Sequence, residues 1–461
     1  MAEQLPPRDP HPHDAKIIAA HVWIEPVPIR MPLKFGGRVV DQTQLINAAV
    51  TVEGRDGQTA TGHGSMPVGN VWGWPSASLP GEQTEAAMIA FAHRVAASLL
   101  SDEAAHPVEL MHDAISGYDG LADDVVRSAG LPEPMPKLAQ LVAASPLDAA
   151  VHDAYGRLHH RSSFAVLGPD FLPRDLSHFL DDRFAGQHLD AVVSETPTAS
   201  LPLYHLVGGL DPLTAADLAS DFRRPDDLPV TLDEWIAADG LTHLKIKLTG
   251  ADPEADLARV LAVDEVAESQ RPGDAWNYSA DFNENCPSAA VLTDWLDRLE
   301  RTSPRAFGRI QYLEQPTRRD LDDPSQSPMH DAARRKPVVI DESLTSYAAL
   351  LKSRDLGYSG VALKACKGQT EALLAAAAAR HFGLFLCVQD LTCPGASLLH
   401  SVSLAAHLPD VTAIEGNGRQ YCPAPNAAYA PHYPGLFDIT NGTVDATALS
   451  GDGLGFEFLG R

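Results

Sequence analysis

Apolar residues are spaced differently in the first and second parts of the chain. In roughly the first 140 residues, their pattern predicts strands at 17–31, 45–53 and 60–65, the last two joined as a hairpin. Helical periodicity follows in the segments EQTEAAMIAFAHRVAASLL and HPVELMHDAISGY. This part is therefore predicted to be an α+β unit, with an antiparallel sheet followed by helices.

The second part alternates between short apolar runs and helical segments. An amphipathic helix is predicted in SPLDAAVHDAYGRLHH, beginning at Ser145 and Pro146. From Leu201 onward the apolar runs are LPLYHLV, THLKIKL, NYSADFN, RIQYLEQP, PVVIDES, GVALKAC, LFLCVQD and VTAIEGN. Eight such units in about 230 residues predict a (β/α)8-type α/β barrel. An open doubly wound sheet is less favoured, because no glycine-rich phosphate loop follows any run.

These patterns divide the chain into four predicted parts. Residues 1–16 are polar and proline-rich and are expected to form a loose tail. Residues 17–145 are assigned to the α+β unit, 146–430 to the barrel and 431–461 to a C-terminal segment.

Composition narrows the range of partners. The 461 residues include 35 Lys+Arg and 61 Asp+Glu, a formal net charge of −26, which argues against binding to nucleic acid or anionic lipid. No apolar stretch approaches the roughly 18 residues of a membrane span, and the polar start does not resemble a signal peptide. The five cysteines include no C-x-x-C pair, which is typical of reduced thiols in a cytoplasmic protein.

Charged and amide side chains stand at the ends of seven predicted strands. In chain order they are Lys245 and Lys247, Asp281 and Asn283, Glu314, Asp341, Lys364, Asp390 and Glu415. The carboxyl ends of the strands carry the active site in barrels of this kind, and residues two apart on a strand share a face. These side chains are therefore the candidates for catalysis and binding.

Three acids follow three consecutive strands. Asp281, Glu314 and Asp341 would converge near the barrel axis, where carboxylates repel one another unless a cation neutralises them. Hard oxygen ligands suit Mg²⁺. The alternative is that each acid is an ordinary solvated loop residue.

Two lysines are predicted to face each other across the same mouth. Lys247 ends the second strand and Lys364 the sixth, with the acids between them. A nearby metal ion and a second lysine would lower the pKa of each ammonium group and make it a base. Two alternatives remain: Lys245 and Lys247 point to water from an edge strand, or one lysine forms a Schiff base in an aldolase.

The order of the strand-end motifs resembles one family. LKIKL, DFNEN, YLEQP, IDES and ALKACKG are together similar to the enolase superfamily, in its mandelate racemase/muconate lactonizing enzyme family. A lysine on the sixth strand places the chain nearer the muconate-lactonizing branch, because the mandelate-racemase branch uses a His–Asp pair. Residues 17–140 resemble the family's capping domain, and SPLDAAVHDAYGRL resembles the helix that precedes its barrel.

The resemblance implies a role for each of these residues. Asp281, Glu314 and Asp341 match the ligands of Mg²⁺, with Mn²⁺ as the alternative ion, and Asn283 matches a position beside them. Lys247 and Lys364 match the two acid/base residues, and Lys245 the lysine that supports a substrate carboxylate oxygen. Glu342 is a rival to Asp341 as ligand, and Lys367 is a rival to Lys364 as base.

Substrate contacts in the family come from two capping-domain loops and the last strands. Here those loops are Pro32–Asp41 and Met66–Pro75, so Arg38, Trp72 and Trp74 become candidates, with plain packing between domains as the alternative for the tryptophans. Asp390 and Glu415 are added from the last strands. The C-terminal segment is expected to return to the capping domain, and the protein to form homo-oligomers.

Three departures from the family pattern stand out. Gly368-Gln369 replaces a Gly-Gly pair, and the run GHGS, ending at Ser65, replaces Gly-x-Gly-Glu. The eighth-strand segment IEGNGRQ lacks the Asp-x-Asp that holds an ammonium group in dipeptide epimerases, so dipeptides are not expected as substrates.

The resemblance implies Mg²⁺-dependent removal of the proton α to the carboxylate of a small molecule, through an enediolate. The expected outcome is racemisation or epimerisation, or cycloisomerisation. The alternatives are dehydration of a hydroxy acid or acid sugar at the same site, a Schiff-base aldolase, and a non-catalytic binding protein.

Overall fold

The N-terminal domain is built on a three-stranded antiparallel sheet. The computed structural model describes residues 10–35, 38–323 and 325–460. The sheet has the order β1 (Ala15–Phe35), β2 (Arg38–Gly54) and β3 (Thr59–Pro67). Because β1 begins at Ala15, the boundary predicted after residue 16 falls inside this strand, while residues 1–9 lie outside the described part.

Five helices follow the sheet and complete the domain. They are α1 (Asn70–Gly73), α2 (Gly81–Ser98), α3 (Pro107–Ser116), α4 (Tyr118–Ala129) and α5 (Lys137–Leu158). Every residue of α5 from Leu138 to Gly156 is buried. This helix therefore forms the centre of the domain, with the sheet on one side.

The predicted start of α5 at Ser145 and Pro146 is wrong, because the helix begins at Lys137 and continues through the proline. Proline has no N–H to donate to the carbonyl of Val142, one turn earlier. The Ser145 hydroxyl donates to that carbonyl instead, at 2.8 Å. The domain boundary predicted between residues 145 and 146 therefore cuts a continuous helix.

Two glycines of β3 allow α5 to lie directly on the sheet. A Cβ atom at Gly62 would lie 2.1 Å from the backbone nitrogen of Ala154, and one at Gly64 would lie 2.0 Å from the carbonyl oxygen of Pro146. Any larger residue at either position would have to push the helix away. The GHG run of the sequence is thus explained by close backbone packing.

Eight parallel strands form a closed barrel, as predicted, since the last strand pairs with the first. They are β4 (Ser200–Val207), β5 (His243–Lys247), β6 (Asn277–Asp281), β7 (Ile310–Glu314), β8 (Val338–Ile340), β9 (Gly360–Leu363), β10 (Phe385–Val388) and β11 (Ile414–Glu415). The short β12 (Thr443–Asp445) pairs antiparallel with the start of β4. The structure thus confirms an α/β barrel preceded by an α+β domain.

Helices connect the strands around the outside. They are α6 (Leu232–Asp239), α7 (Pro253–Gln270), α8 (Ala289–Thr302), α9 (Pro304–Arg309), α10 (His330–Ala333), α11 (Tyr347–Asp355), α12 (Gln369–His381) and α13 (Ala396–Ala406). After β11 come three short helices, α14 (Gly418–Tyr421), α15 (Asn426–Tyr429) and α16 (Pro434–Phe437), before β12. No helix in the described ranges is long and apolar enough to cross a membrane.

Two aspartates of α5 join the N-terminal domain to the rest of the chain. Asp148 accepts hydrogen bonds from the backbone N–H of Thr370 at 3.1 Å and from its hydroxyl at 2.9 Å, in the first turn of α12. One turn further along α5, Asp153 accepts from the N–H of Leu454 at 3.0 Å and from that of His63 at 2.9 Å. The helix is therefore shared between the two domains.

The C-terminal segment lies against the N-terminal domain. The Phe458 ring stacks on His63 of β3 at a centroid distance of 4.9 Å and meets the edge of Trp23 of β1 at 5.8 Å. Arg157 of α5 donates to the carbonyl of Phe456 at 2.6 Å and to the carboxylate of Glu457 at 3.0 Å. These contacts close the chain back onto its first strands.

Candidate active site

Lys245 lies at the centre of a buried group of charges at the carboxyl ends of the strands. Its ammonium group donates to Glu314 Oε1 and to Glu415 Oε2, each at 2.8 Å, and lies 3.4 Å from Asp281 Oδ2. Burial alone would lower the pKa of Lys245, but the three carboxylates outweigh it and raise this pKa well above its usual value. A permanent cation thus links the ends of three different strands.

Lys247 lies on the same face of β5 as Lys245 but is partly exposed. Its ammonium group forms an ion pair with Asp281 and donates to Asn283 Oδ1 at 3.0 Å. The Asn283 amide in turn donates to the carbonyl of Leu248 at 2.6 Å. Asn283, predicted to stand beside a metal ligand, therefore contacts the lysine itself and fixes its position.

Asp341 is held between two lysines of the segment that follows β9. Lys364 Nζ lies 2.7 Å from Asp341 Oδ2, and Lys367 Nζ donates to Asp341 Oδ1 at 3.0 Å and also to the Asp341 carbonyl. Burial would lower the pKa of Lys364, but Asp341 overrides this and raises it. Lys367, the rival base in the sequence, thus lies on the same carboxylate as Lys364.

The three acids are close enough to influence one another's protonation. Burial and then the neighbouring Asp281 carboxylate raise the pKa of Glu314 to about 8, although Lys245 opposes this. For Asp281, burial acts in the raising direction, but Lys247 and Lys245 outweigh it and lower the pKa to about 2. Such a group of buried carboxylates is costly without cations among them.

The donor atoms suit a hard divalent ion, although they are not gathered into a coordination sphere. Within residues 10–35, 38–323 and 325–460, no group of three or more His, Cys, Asp or Glu side chains is arranged to hold a metal ion. The oxygens of Asp281, Glu314 and Asp341 instead face lysine ammonium groups. Their burial and mutual repulsion are what a Mg²⁺ ion would relieve, so the residues fit such an ion chemically.

Trp72 reaches from the N-terminal domain to this group of charges, whereas Trp74 does not. The Trp72 ring lies 4.5 Å from the Lys364 ammonium group, and its N–H donates to Glu342 Oε1 at 2.8 Å. Trp74 instead donates to Glu133 of its own domain at 2.8 Å. The backbone of Arg38 begins β2, but its side chain lies outside the described part.

Asp390 and Glu415 are engaged in bonds within the barrel. Asp390 accepts from the backbone N–H groups of Thr392, Cys393 and Asn417 at 3.0–3.2 Å, which ties the end of β10 to that of β11. Burial and then Glu415 raise the pKa of Asp390 to about 7. Glu415 accepts from Lys245 and, at 3.0 Å, from the Asn417 amide. Both acids thus bond to groups of the barrel itself.

Two further residues at the site were missed in the sequence. Gln389 donates to Glu314 Oε2 at 2.6 Å, and its place at the end of the seventh strand, next to Asp390, could have revealed it. Arg319 lies in the loop after β7, donates to Glu284 at 2.6 Å and holds the carbonyl of Trp72 at 2.9 Å. A loop arginine carries no such signal, because its partners are distant in sequence.

The chain after β6 is strained where it supports the site. Asn283 and Glu284 have φ of +50° and +65°, and Gln315 after β7 has φ of +31°. Non-glycine residues in this region cost on the order of 1 kcal/mol or more and persist where the surroundings hold them. Here Asn283 is held by Lys247 and Leu248, and Glu284 by Arg319.

Comparisons with known proteins place this barrel among a group of enzymes. Residues 227–460, slightly more than half of the chain, match the family model described as "Enolase C-terminal domain-like". A curated hydrophobic dipeptide epimerase of Roseobacter litoralis is 32% identical over 214 residues, covering 45% of this chain. The match spans only 55% of that relative's length.

Solved structures share the fold over nearly the whole chain. A dipeptide epimerase from Enterococcus faecalis, complexed with Mg and the dipeptide L-Leu-L-Tyr, superposes with a TM-score of 0.59 at 15% identity, covering 95% of this chain and 99% of that one. A muconate lactonizing enzyme from Pseudomonas fluorescens, complexed with muconolactone, gives 0.58 at 17% identity, covering 96% of both chains. The resemblance drawn from the strand-end motifs is confirmed, and the chain belongs to the enolase C-terminal domain-like family.

Proposed function

We propose that this chain is a Mg²⁺-dependent enzyme that removes the proton α to a carboxylate and acts as a racemase, epimerase or cycloisomerase. One observation carries the proposal. Lys247 is the last residue of β5, and Lys364 directly follows β9. These strands are four apart in a closed ring of eight, and buried carboxylates lie between the two lysines. Two bases on opposite sides of one substrate plane can remove and return a proton on either face.

The acids and the lysines of the site have different roles in this reaction. Asp281, Glu314 and Asp341 would hold the ion, which when bound supplies positive charge against the developing enediolate. Lys247 takes the proton from one face of the substrate, and Lys364 returns it on the other. Lys245 stays charged among its three carboxylates and stabilises the negative oxygen of the substrate.

The lysines become bases only when their carboxylate partners are neutralised by another cation. In this structure, Asp341 raises the pKa of Lys364, and Asp281 forms an ion pair with Lys247. A base needs a pKa near the working pH. The lowering of the lysine pKa values inferred from the sequence therefore depends on a cation that takes over both aspartates.

The relatives support an isomerase, and the site restricts its substrate. The matched proteins include epimerases of dipeptides and muconate lactonizing enzymes. Asp390 and Glu415, the acids nearest the eighth strand, already bond to backbone N–H groups and to Lys245. This supports a carboxylate substrate without a free ammonium group, so an N-acylamino acid or a lactone is favoured over a dipeptide.

The test is exchange of the α-proton in D₂O, followed by ¹H NMR across acid sugars, N-acylamino acids, proline derivatives, lactones and hydrophobic dipeptides. Once a substrate is found, Lys247→Ala and Lys364→Ala should each lower overall turnover by more than about 1000-fold, because each removes one of the two bases. For a racemase substrate, each variant should still exchange the proton of one stereoisomer. The two variants should retain opposite stereoisomers.

Lys352→Ala serves as the control, since this lysine is exposed on α11 and pairs with Asp322. It should leave both exchange and turnover unchanged. Retention of the same stereoisomer by both active-site variants would contradict the assignment of opposite faces. Absence of exchange with every carboxylate class would contradict the proposed reaction.

A further inference from the structure

A cavity of about 600 Å³ lies where the N-terminal sheet, the start of α13 and the C-terminal segment meet. Its volume is within the range of small-molecule sites, and such sites often lie between domains. None of the lysines or carboxylates of the candidate active site lines it. It is therefore a separate space, to which the proposed reaction assigns no role.

Three aromatic rings line this cavity. Trp23 and Phe458 meet edge to face at a centroid distance of 5.8 Å, and the other ring contact of Phe458 is its stacking on His63. Tyr429 is buried, and its hydroxyl accepts a hydrogen bond from the N–H of Leu459 at 3.1 Å. Contacts with the sheet and the C-terminal segment thus fix the rings in place.

Glu25 is the single charged side chain among the described residues that line the cavity. Its carboxylate accepts a long hydrogen bond, 3.5 Å, from the Asn47 amide. Tyr429 lines the cavity together with Glu25. Burial raises the pKa of Tyr429 to about 12, and the Glu25 carboxylate acts in the same direction. The remaining lining is apolar or neutral and includes Ser65, the end of the GHGS run.

We propose that this cavity binds a small organic ammonium ion with an apolar substituent, the positive group lying between Glu25 and the aromatic rings. A cation is attracted both to a carboxylate and to the faces of tryptophan, tyrosine and phenylalanine. A carboxylate ligand would meet the charge of Glu25, and a purely apolar ligand would leave that charge without a partner. The cavity therefore prefers the charge opposite to that of the substrate proposed for the barrel.

The probe is benzyltrimethylammonium chloride, with sodium 3-phenylpropanoate as the anion of similar size. Isothermal titration calorimetry on the full chain should detect the cation and not the anion. Glu25→Gln keeps the shape of the side chain and should weaken binding by about tenfold or more, because it removes the one charge among the described lining residues. Trp23→Leu should weaken it as well, since it removes one ring.

Glu53→Gln is the matched control, because this acid lies on β2 and pairs with Lys16 away from the cavity. It should change the affinity by less than about twofold. The far-ultraviolet circular dichroism of all variants should match that of the parent chain. Equal affinity of Glu25→Gln and the parent chain, or equal binding of the anion, would overturn the proposal.

The chain itself offers a rival occupant. Gly460 lines the cavity, and the next residue in the sequence, Arg461, carries a positive charge. Arg461→Gln should bind the probe with the same affinity as the parent chain. Binding that appeared only in this variant would overturn the proposal, because the Arg461 side chain would then be the natural occupant. Absence of binding in both forms at millimolar concentrations of the probe would also overturn it.

Discussion

Each of the three carboxylates proposed as metal ligands is bonded to at least one lysine. Lys245 holds Glu314, Lys247 holds Asp281, and Lys364 holds Asp341 together with Lys367. A buried carboxylate left without a partner would cost several kcal/mol. The site therefore keeps its negative charges neutralised, and a divalent ion would exchange with cations already in place.

We expect Asp281→Asn and Glu314→Gln each to weaken Mg²⁺ binding by more than about 100-fold, since loss of a ligand should exceed the effect of losing a supporting residue. Isothermal titration calorimetry measures this directly, and α-proton exchange should disappear in parallel. Glu342→Gln is the control, because Glu342 faces Trp72 and should change the affinity by less than about tenfold. Full activity after treatment with EDTA would contradict the need for a metal.

His400 gives a prediction on acid stability. It is buried on α13, its ring bonds to Gln369 Oε1 at 2.9 Å, and burial lowers its pKa to about 4. The unfolded chain takes up this proton near pH 6.5, but the folded chain only near pH 4. Between these values unfolding binds an extra proton, so the free energy of unfolding falls as the pH falls.

His400→Gln should therefore reduce that dependence by about 1.4 kcal/mol per pH unit between pH 6.5 and about 4. Urea unfolding at several pH values, compared with the parent chain, measures the difference in slope. Other buried acids and histidines are present in both proteins and cancel in the comparison. Parallel curves over this range would show that His400 is already protonated or remains solvated.

At the residue scale, the sequence identified the charged side chains of the barrel mouth but not what surrounds them. Lys247 and Asp281 could be found because each is the last residue of its strand, and Lys245 because it lies two residues earlier on the same face as Lys247. The sequence could not distinguish the roles of Trp72 and Trp74. Both lie in a stretch predicted as a loop, where a spacing of two residues does not fix the direction of a side chain. Arg319 was missed because its contacts, with Trp72 and Glu284, join parts of the chain that no local pattern connects.

At the scale of elements, β3 and α5 pack so closely at Gly62 and Gly64 that no side chain fits between them there. Gly62→Ala should therefore destabilise the protein by about 3 kcal/mol or more, because its Cβ would overlap the backbone of α5. Gly120→Ala is the matched control on α4, where nothing lies within 4 Å of the added atom. It should stabilise the protein by up to about 1 kcal/mol. Urea unfolding measures both, and equal effects would exclude the packing explanation.

The strands of the barrel could be predicted more reliably than the start of α5. Each barrel strand is a short apolar run buried on both sides, and a polar loop ends it, so its limits are visible in the sequence. The signal of Ser145 and Pro146 is ordinary for a helix start. It failed because the serine hydroxyl takes over the hydrogen bond that the proline cannot make, and because burial holds the helix on both sides.

At the scale of the whole molecule, the C-terminal segment should be essential for stability. Leu454 is fully buried, and its N–H bonds to Asp153 of α5. Leu454→Ala should cost about 2–5 kcal/mol in the free energy of unfolding. Leu210→Ala, at a leucine that is 49% exposed, should change it by less than about 0.5 kcal/mol.

Deletion of all residues after Gly435 should go further and leave no folded protein, because it removes β12 and the Phe456 and Glu457 partners of Arg157. Circular dichroism and thermal unfolding test the deletion. A stable chain that lacked this segment would contradict the packing described for it.

The position of α5 between the two domains also decides how this protein can be recombined with its relatives. Specificity could be exchanged by joining the N-terminal part of one family member to the barrel of another. A crossover at residue 145 would combine halves of a helix from two parents. Ser145 and Asp148, which lie in the same turn of α5, would then come from different proteins. A crossover after Leu158 would carry the whole helix with its sheet. The incoming helix would then have to present an acceptor for Thr370 and another for Leu454, and the incoming domain would have to receive the Phe456–Phe458 segment as Arg157 and His63 do here.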